Sequence, residues 1–162
     1  MTTPYTAPQG LCIGHVHLKV SDLERSIAFY RDVIGLEVTQ RYGTQAAFLA
    51  AGGYHHHLGL NTWESLGGPR APRNAAGLYH TAFLYPDRVA LAHAYRRVVD
   101  CAVTLDGAAD HGVSEALYLS DPDGNGIELY RDRPMDAWPR DKQGQLHMVN
   151  TAIDLEALLA LA

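Results

Sequence analysis

Residues 13–24 read IGHVHLKVSDLE, and this stretch decides the fold. Ile13 to Val20 alternates in polarity and is rich in β-branched residues, which predicts a strand. Val16, Leu18 and Val20 fall on one face, with His15, His17 and Lys19 on the other. Ser21 to Glu24 then reads as a capping box, with Ser21 as the cap and Glu24 reaching back. Leu23, Ile27, Tyr30 and Ile34 follow at helical spacing until Gly35 stops the helix. Three extended segments come next, Leu36 to Tyr42, Ala46 to Ala50 and His55 to Asn61, separated by glycine-containing turns. The order is strand, helix, three strands.

The second half repeats it. Gly77 to Tyr85 (GLYHTAFLY) predicts a strand, and Pro86-Asp87 opens a helix that buries Leu91, Tyr95 and Val98. Val103 to Leu105, Ser114 to Leu119 and Gly126 to Arg131 supply three further strands. His15 stands seven residues before Asp22, and His80 stands seven before Asp87, so each histidine holds the same place in its unit. The turn Asp121-Pro-Asp-Gly124 corresponds to Ala50-Ala-Gly-Gly53. Such self-similarity marks a tandem duplication of a βαβββ unit. The fold class is therefore α+β, with the two units forming a curved mixed sheet around a cleft. The units span 11–66 and 77–134, within one domain of residues 11–134. Gly67 to Gly77 is a loop or linker on its composition. Residues 135–162 form a C-terminal extension, and Thr151 to Ala162 is expected to be an amphipathic helix that packs on the sheet or on a partner subunit.

Length and composition narrow the function classes. A chain of 162 residues and 17.7 kDa fits one domain, and 47 % apolar content can fill its core. A net charge of −5 gives no bulk attraction for phosphate backbones, so sequence-independent nucleic-acid binding is not expected. Two cysteines, Cys12 and Cys101, make no disulfide framework and fit a reducing compartment. The polar N-terminal residues lack a signal-peptide pattern, and no apolar run approaches the ~20 residues of a membrane span. The expectation is a soluble cytoplasmic protein.

Nine histidines, three of them consecutive, are more than such a chain needs for packing. Histidine is the commonest metal ligand. His15 and His80 occupy pseudo-symmetric positions where duplicated units would face a shared cleft. Glu128 places a carboxylate in the middle of the apolar segment GIELY, which is costly unless the charge is paired or bound to a cation. Two histidines and one carboxylate with open coordination positions form the facial triad of non-haem Fe(II) oxygenases. His17 shares the strand face of His15 and competes for its role. His15 is preferred because its offset to its helix equals that of His80.

The chain resembles the vicinal oxygen chelate superfamily, which comprises glyoxalase I, fosfomycin-resistance enzymes, bleomycin-binding proteins and type I extradiol ring-cleaving dioxygenases. The resemblance covers residues 11–134. It implies paired βαβββ units and a divalent metal held by His15 in IGHVHLKV, His80 in LYHTAF and Glu128 in GIELY. The sequence is most similar to the extradiol dioxygenases, on the run from His111 through Leu117-Tyr118, Asp121-Pro122 and Gly124 to Glu128. Spacing and residue type agree there at six positions, and Ala109 is the one departure. A further family pattern is met by His56-His57-Leu58-Gly59-Leu60, which implies His56 as the active-site base. His55 and His57 crowd it, and a strict face argument would favour His57.

The reaction implied is cleavage of a catechol-type aromatic substrate by O₂ at Fe(II), with Mn(II) also suited to the ligand set. His56 would take a proton from the substrate, and His111 and Tyr118 would hydrogen-bond its oxygens. Short chains of this family pair, so a homodimer is expected, with the site built within one chain or shared between two. The cavity is expected to include Tyr54, Trp63 and the 67–77 loop. Three rivals share the fold: a glyoxalase-like lyase or isomerase, a fosfomycin-resistance-type transferase, and a non-catalytic small-molecule-binding module. The first commonly adds a carboxylate at the end of the first unit, where this chain has histidines. The second has the same triad without a need for His56, His111 and Tyr118. The third would dispense with the ligands.

Overall fold

A computed structural model describes residues 4–162. The first unit runs β1 (Val16–Lys19), α1 (Leu23–Phe29), β2 (Glu37–Tyr42), β3 (Ala46–Ala50) and β4 (Leu58–Asn61). The second runs β5 (His80–Leu84), α2 (Arg88–Asp100), β6 (Gly107–Asp110), β7 (Ser114–Ser120) and β8 (Gly126–Asp132), followed by a tail ending in α3 (Leu155–Leu159). The sheets have orders β1-β4-β3-β2 and β5-β8-β7-β6, each with its first pair parallel and the others antiparallel. Identical topology in both halves is the duplication expected from the sequence.

Alternation works as read along β1: Leu18 and Val20 are buried and His17 and Lys19 are exposed. The buried face meets Ile27 and Tyr30 of the helical segment, and Leu117, Leu119, Ile127 and Leu129 of the second unit join the same core. The last turn of the first helix widens to a π-helical turn, Tyr30–Ile34, and Gly35 closes it at φ 86°, a left-handed conformation natural to glycine.

Four local expectations need correction. The cap of α1 is Asp22, not Ser21: Asp22 Oδ1 accepts from the Arg25 amide at 3.0 Å, as Asp87 Oδ1 does from Ala90 at 2.8 Å in α2. Ser21 is drawn away by Asp123, and Glu24 pairs with Arg41 instead of reaching back. The strand expected over 55–61 begins only at Leu58, so the three histidines lie in the turn before it. Val103 and Leu105 pack on the core as connecting chain, and the edge strand forms at Gly107–Asp110, the segment opposite Glu115–Tyr118 in the hairpin. The tail helix is confined to Leu155–Leu159, capped by Asp154, because Thr151 is taken up by a bridge to Asp110. Leu158 is fully buried, and α3 packs on α2, so the extension does staple onto the body of the fold.

Among the described residues the two sheets share no strand pair, and side chains join the units. The Tyr30 hydroxyl donates to Asp121 Oδ2 at 3.0 Å, with both residues buried. Ser21 donates through its amide (3.0 Å) and hydroxyl (2.6 Å) to Asp123, which also pairs with Arg25. Asp121 in turn accepts from the amides of Asp123 and Asn125, which folds the turn that delivers β8. Gly126 follows that turn, and a Cβ there would lie 2.1 Å from the Tyr79 carbonyl oxygen. Gly126→Ala is therefore expected to cost about 2–3 kcal/mol, since backbone rather than a flexible side chain must move. Thermal melting checks this, and an unshifted transition would show that β5 and β8 separate freely.

Candidate metal and substrate site

Four of the six residues singled out from the sequence meet on the open face of the second sheet. Ile127 and Leu129 point into the core, so Glu128 between them points to the other face. Tyr118 of β7 lies opposite Glu128 in the ladder, and its hydroxyl donates to Glu128 Oε1 at 3.0 Å. His80 of β5 brings Nε2 to within 3.0 Å of Glu128 Oε2. His111, in the turn between β6 and β7, places Nε2 2.8 Å from the Tyr118 hydroxyl. The run His80–Glu128–Tyr118–His111 is thus continuous. Burial, then the hydrogen bond to Glu128, push the Tyr118 hydroxyl up to about 12, so it stays protonated at neutral pH.

The other two residues belong to the first unit. His15 precedes β1, and its ring centroid lies 4.4 Å from that of His56. His56 also lies 5.0 Å from the Phe48 ring, and its Nδ1 is 2.7 Å from Nδ1 of His55. Partial burial and then the neighbouring His15 hold the His56 imidazole below its usual pKa, which favours the neutral form a base needs. His57 is occupied differently, accepting the Ala51 amide at its Nδ1 within the turn (3.3 Å). His17 lies on β1 between the Phe48 and Trp63 rings, and burial lowers its pKa too.

Register exposes an asymmetry between the units. His17 pairs with Gly59, and Ala82, in the equivalent place of β5, pairs with Glu128. Gly59 therefore stands where Glu128 stands in the second unit. A Cβ on Gly59 would come within 2.8 Å of the His17 ring. The first unit offers an imidazole lying over a bare backbone, and the second offers a carboxylate.

His80 and Glu128 supply an imidazole nitrogen and a carboxylate oxygen, a donor pair that suits a divalent cation between hard and borderline. The pair already touches, and His80 Nδ1 is buried with no hydrogen-bond partner, so the ring is not otherwise committed. Among the described residues no group of three or more His, Cys, Asp or Glu is gathered closely enough to hold a metal ion. His15 stands with His56 in the first unit. The donors fit the metal; one chain brings two of them together.

A cleft of about 1030 Å³ runs along the linker, lined by His17 and Lys19 from β1, by His80 and Tyr118, and by linker residues such as Arg70 and Arg73. Tyr54 and Trp63, expected in the cavity, are not among its lining residues. Arg70 donates to the Pro122 carbonyl at 2.8 Å, which ties the linker to the turn before β8. Sequence reasoning also missed the tail, which returns to His111: the Val149 amide donates to the His111 carbonyl at 3.0 Å, and His111 Nδ1 lies 3.2 Å from the Val149 carbonyl oxygen. No residue pattern announces a contact made by backbone across 38 positions.

Comparison with known proteins agrees with this architecture. Residues 12–129 match the Glyoxalase/Bleomycin resistance protein/Dioxygenase superfamily. The chain is 45 % identical over 148 residues to catechol-2,3-dioxygenase of Bacillus subtilis (strain 168), covering 91 % of this chain and 50 % of that protein. It is 31 % identical over 140 residues to the metallothiol transferase FosB of Lysinibacillus sphaericus (strain C3-41), covering 84 % of this chain and 93 % of that one. The chain thus spans half the length of the first relative and nearly all of the second. A solved glyoxalase/dioxygenase from Nostoc punctiforme superposes with a TM-score of 0.64 at 22 % identity, over 83 % of this chain and all of that one. No helix among the described residues is long and apolar enough to cross a membrane. With its duplicated sheets, its Glu128 face and this match over most of its length, the chain belongs to the glyoxalase/bleomycin resistance protein/dioxygenase, or vicinal oxygen chelate, superfamily.

Proposed function

We propose that this protein is an extradiol dioxygenase that opens the ring of a catechol-type aromatic with O₂. The observation that carries the reading is the hydrogen-bonded run His111–Tyr118–Glu128. A transferase or isomerase needs Glu128 but has no use for an aligned imidazole and phenol beside it. The 45 % identity to a catechol-2,3-dioxygenase points the same way.

In this reading His80, Glu128 and His15 hold Fe(II), or Mn(II) as the second choice. The metal, when bound, lowers the pKa of the catechol oxygens and holds both reactants in one place. His15 lies in the other unit, so we take a homodimer as the working form, with His15 of one copy reaching His80 and Glu128 of the other. His56 travels with His15 and takes the proton of the second substrate hydroxyl. Tyr118, protonated at neutral pH, donates to a substrate oxygen, and His111 exchanges a proton with it across 2.8 Å. Free thiols at Cys12 and Cys101 fit a reducing cytoplasm.

The FosB match sustains a second reading, a metal-dependent thiol transferase. The two part on one experiment. Protein reconstituted anaerobically with Fe(II) is mixed with aerated buffer and a panel of catechols, and O₂ uptake and visible absorbance are followed. Stoichiometric O₂ uptake with a yellow ring-opened product is expected. No uptake on any catechol by protein that binds the metal tightly would overturn the dioxygenase reading and favour the transferase.

A further inference from the structure

The linker between the two units carries charge that neither the fold nor the candidate metal ligands use. Pro69-Arg70-Ala71-Pro72-Arg73 sets two guanidinium groups on the wall of the cleft that also exposes His80 and Tyr118. Each arginine follows directly on, or one residue after, a proline of fixed φ, so this stretch is stiffer than the glycines that flank it. Arg70 is anchored. Its Nε and Nη2 donate to the Pro122 carbonyl at 3.2 and 2.8 Å, and its Cδ lies over Gly124, 3.5 Å from where a Cβ would stand. That turn is the one Asp121 folds ahead of β8, so the chain that delivers Glu128 also holds the Arg70 side chain.

Neither guanidinium meets a carboxylate. Among the described residues Arg73 has no ion-pair or hydrogen-bond partner, and Arg70 touches only that carbonyl. On the body of the fold, by contrast, Arg25, Arg41, Arg88, Arg131 and Arg133 each pair with a carboxylate. The carboxylates of the cleft are engaged elsewhere. Asp123 is taken by Ser21 and Arg25, and Asp106 accepts the Ser120 hydroxyl at 2.7 Å. Lys19 adds a third cation to the lining, in an exposed pair with Glu64 at 3.4 Å. A chain of net charge −5 thus keeps a local excess of positive charge in its cleft. Size is an independent observation. The cleft measures about 1030 Å³, at the upper end of the roughly 300–1,000 Å³ of small-molecule sites, and a bare catechol leaves most of it unfilled.

We propose that Arg70 and Arg73 form an oxyanion subsite of this cleft, and that the substrate is a catechol bearing a carboxylate side chain rather than catechol itself. The catechol half of this statement rests on the dioxygenase reading; the subsite does not. A planar guanidinium fork matches a carboxylate with two parallel hydrogen bonds, which an amide or a hydroxyl cannot reproduce. Arg73, with its whole fork open, makes that contact. Arg70, with one edge of its fork on Pro122, adds a second charge from a fixed position. Arg73 stands seven residues before His80 in the same chain, so the subsite stays with His80 whichever copy supplies His15. Both arginines are specificity-determining residues, remote from the bonds that change.

The test separates binding from turnover. Full-length protein loaded with Fe(II) is titrated calorimetrically without O₂, in low-salt buffer, with 3-(3,4-dihydroxyphenyl)propionate and with its primary amide. The two ligands share the catechol and differ in the charge. The carboxylate is expected to bind more tightly by about tenfold or more, the scale of one charge-assisted hydrogen bond. Arg73→Gln is expected to lose most of that preference, and Arg70→Gln combined with Arg73→Gln all of it. Lys142→Gln, which removes an exposed charge of the tail, should keep it. Equal affinities in the wild type would overturn the proposal. So would a preference that survives the double substitution, or one that Lys142→Gln reduces as much as Arg73→Gln does. Admitting O₂ then tests the reaction separately. Uptake with both ligands at equal affinity overturns the subsite and leaves the dioxygenase reading standing. An arginine-dependent preference without uptake establishes the subsite and overturns that reading, and with it the catechol half of the proposal.

Discussion

Glu128→Ala is expected to lower O₂-dependent turnover of a catechol by well over a hundredfold and to leave the purified protein without stoichiometric metal. The scale follows from the position. Changes one bond removed from a metal ligand already cost about 10–100-fold in affinity or activity, and loss of a ligand exceeds that. Here the carboxylate also holds two other groups, His80 through Oε2 and Tyr118 through Oε1, both at 3.0 Å. Its removal therefore unties the whole face. Glu128→Gln separates the contributions: the amide keeps an acceptor for Tyr118 but loses the charge that draws a dication. That variant is expected to fold like the wild type and still lose metal. His56→Ala provides the contrast, keeping metal while losing about 10²–10⁴ in rate, the usual contribution of a general base. Metal analysis and O₂ uptake on the three variants check this together. Wild-type metal content in Glu128→Ala would remove Glu128 from the ligand set.

The parts of this site that the sequence made legible are those governed by local period. His80, Glu128 and Tyr118 lie on strands whose alternation is fixed by buried Ile127, Leu129 and Leu117, so their shared face follows from counting by two. His55, His56 and His57 resisted this reasoning because they lie in a turn, where no period applies and only the structure separates them. There His57 is tied to Ala51 and His56 faces His15. Ser21 misled for a different reason. Its hydroxyl suits a helix cap, but Asp123, about a hundred residues away, competes for it and wins with two bonds. Long-range partners of this kind leave no local trace. The return of the tail to His111 and the join between the units were hidden in the same way.

That join supports the second large effect, Asp121→Ala, which is expected to lower the melting temperature by about 10 °C. Asp121 is almost fully buried and accepts from the Tyr30 hydroxyl, from the Asp123 and Asn125 amides and from the Asn125 side chain. Its loss leaves the Tyr30 hydroxyl buried without an acceptor and releases the turn before β8. At about 1 kcal/mol for each bond lost, the sum is about 3–4 kcal/mol, and for a chain of this size each kcal/mol shifts melting by about 2–4 °C. Tyr30→Phe is expected to cost only about 1 kcal/mol, because Asp121 keeps its other donors while no donor is stranded. In a double-mutant cycle the two losses should not add. The pH dependence has a definite sign. Burial, then the charge of Asp121, raise the Tyr30 pKa in the fold above its ordinary value of about 10. Above that pH the unfolded chain releases the phenol proton and the folded chain keeps it, so stability present at neutral pH declines by up to about 1.4 kcal/mol per pH unit. Tyr30→Phe should flatten this alkaline slope while Asp121→Ala lowers stability at neutral pH. Denaturant unfolding of the three proteins between pH 7 and 11 measures both, and equal slopes in wild type and Tyr30→Phe would show that the phenol is not sealed at the join.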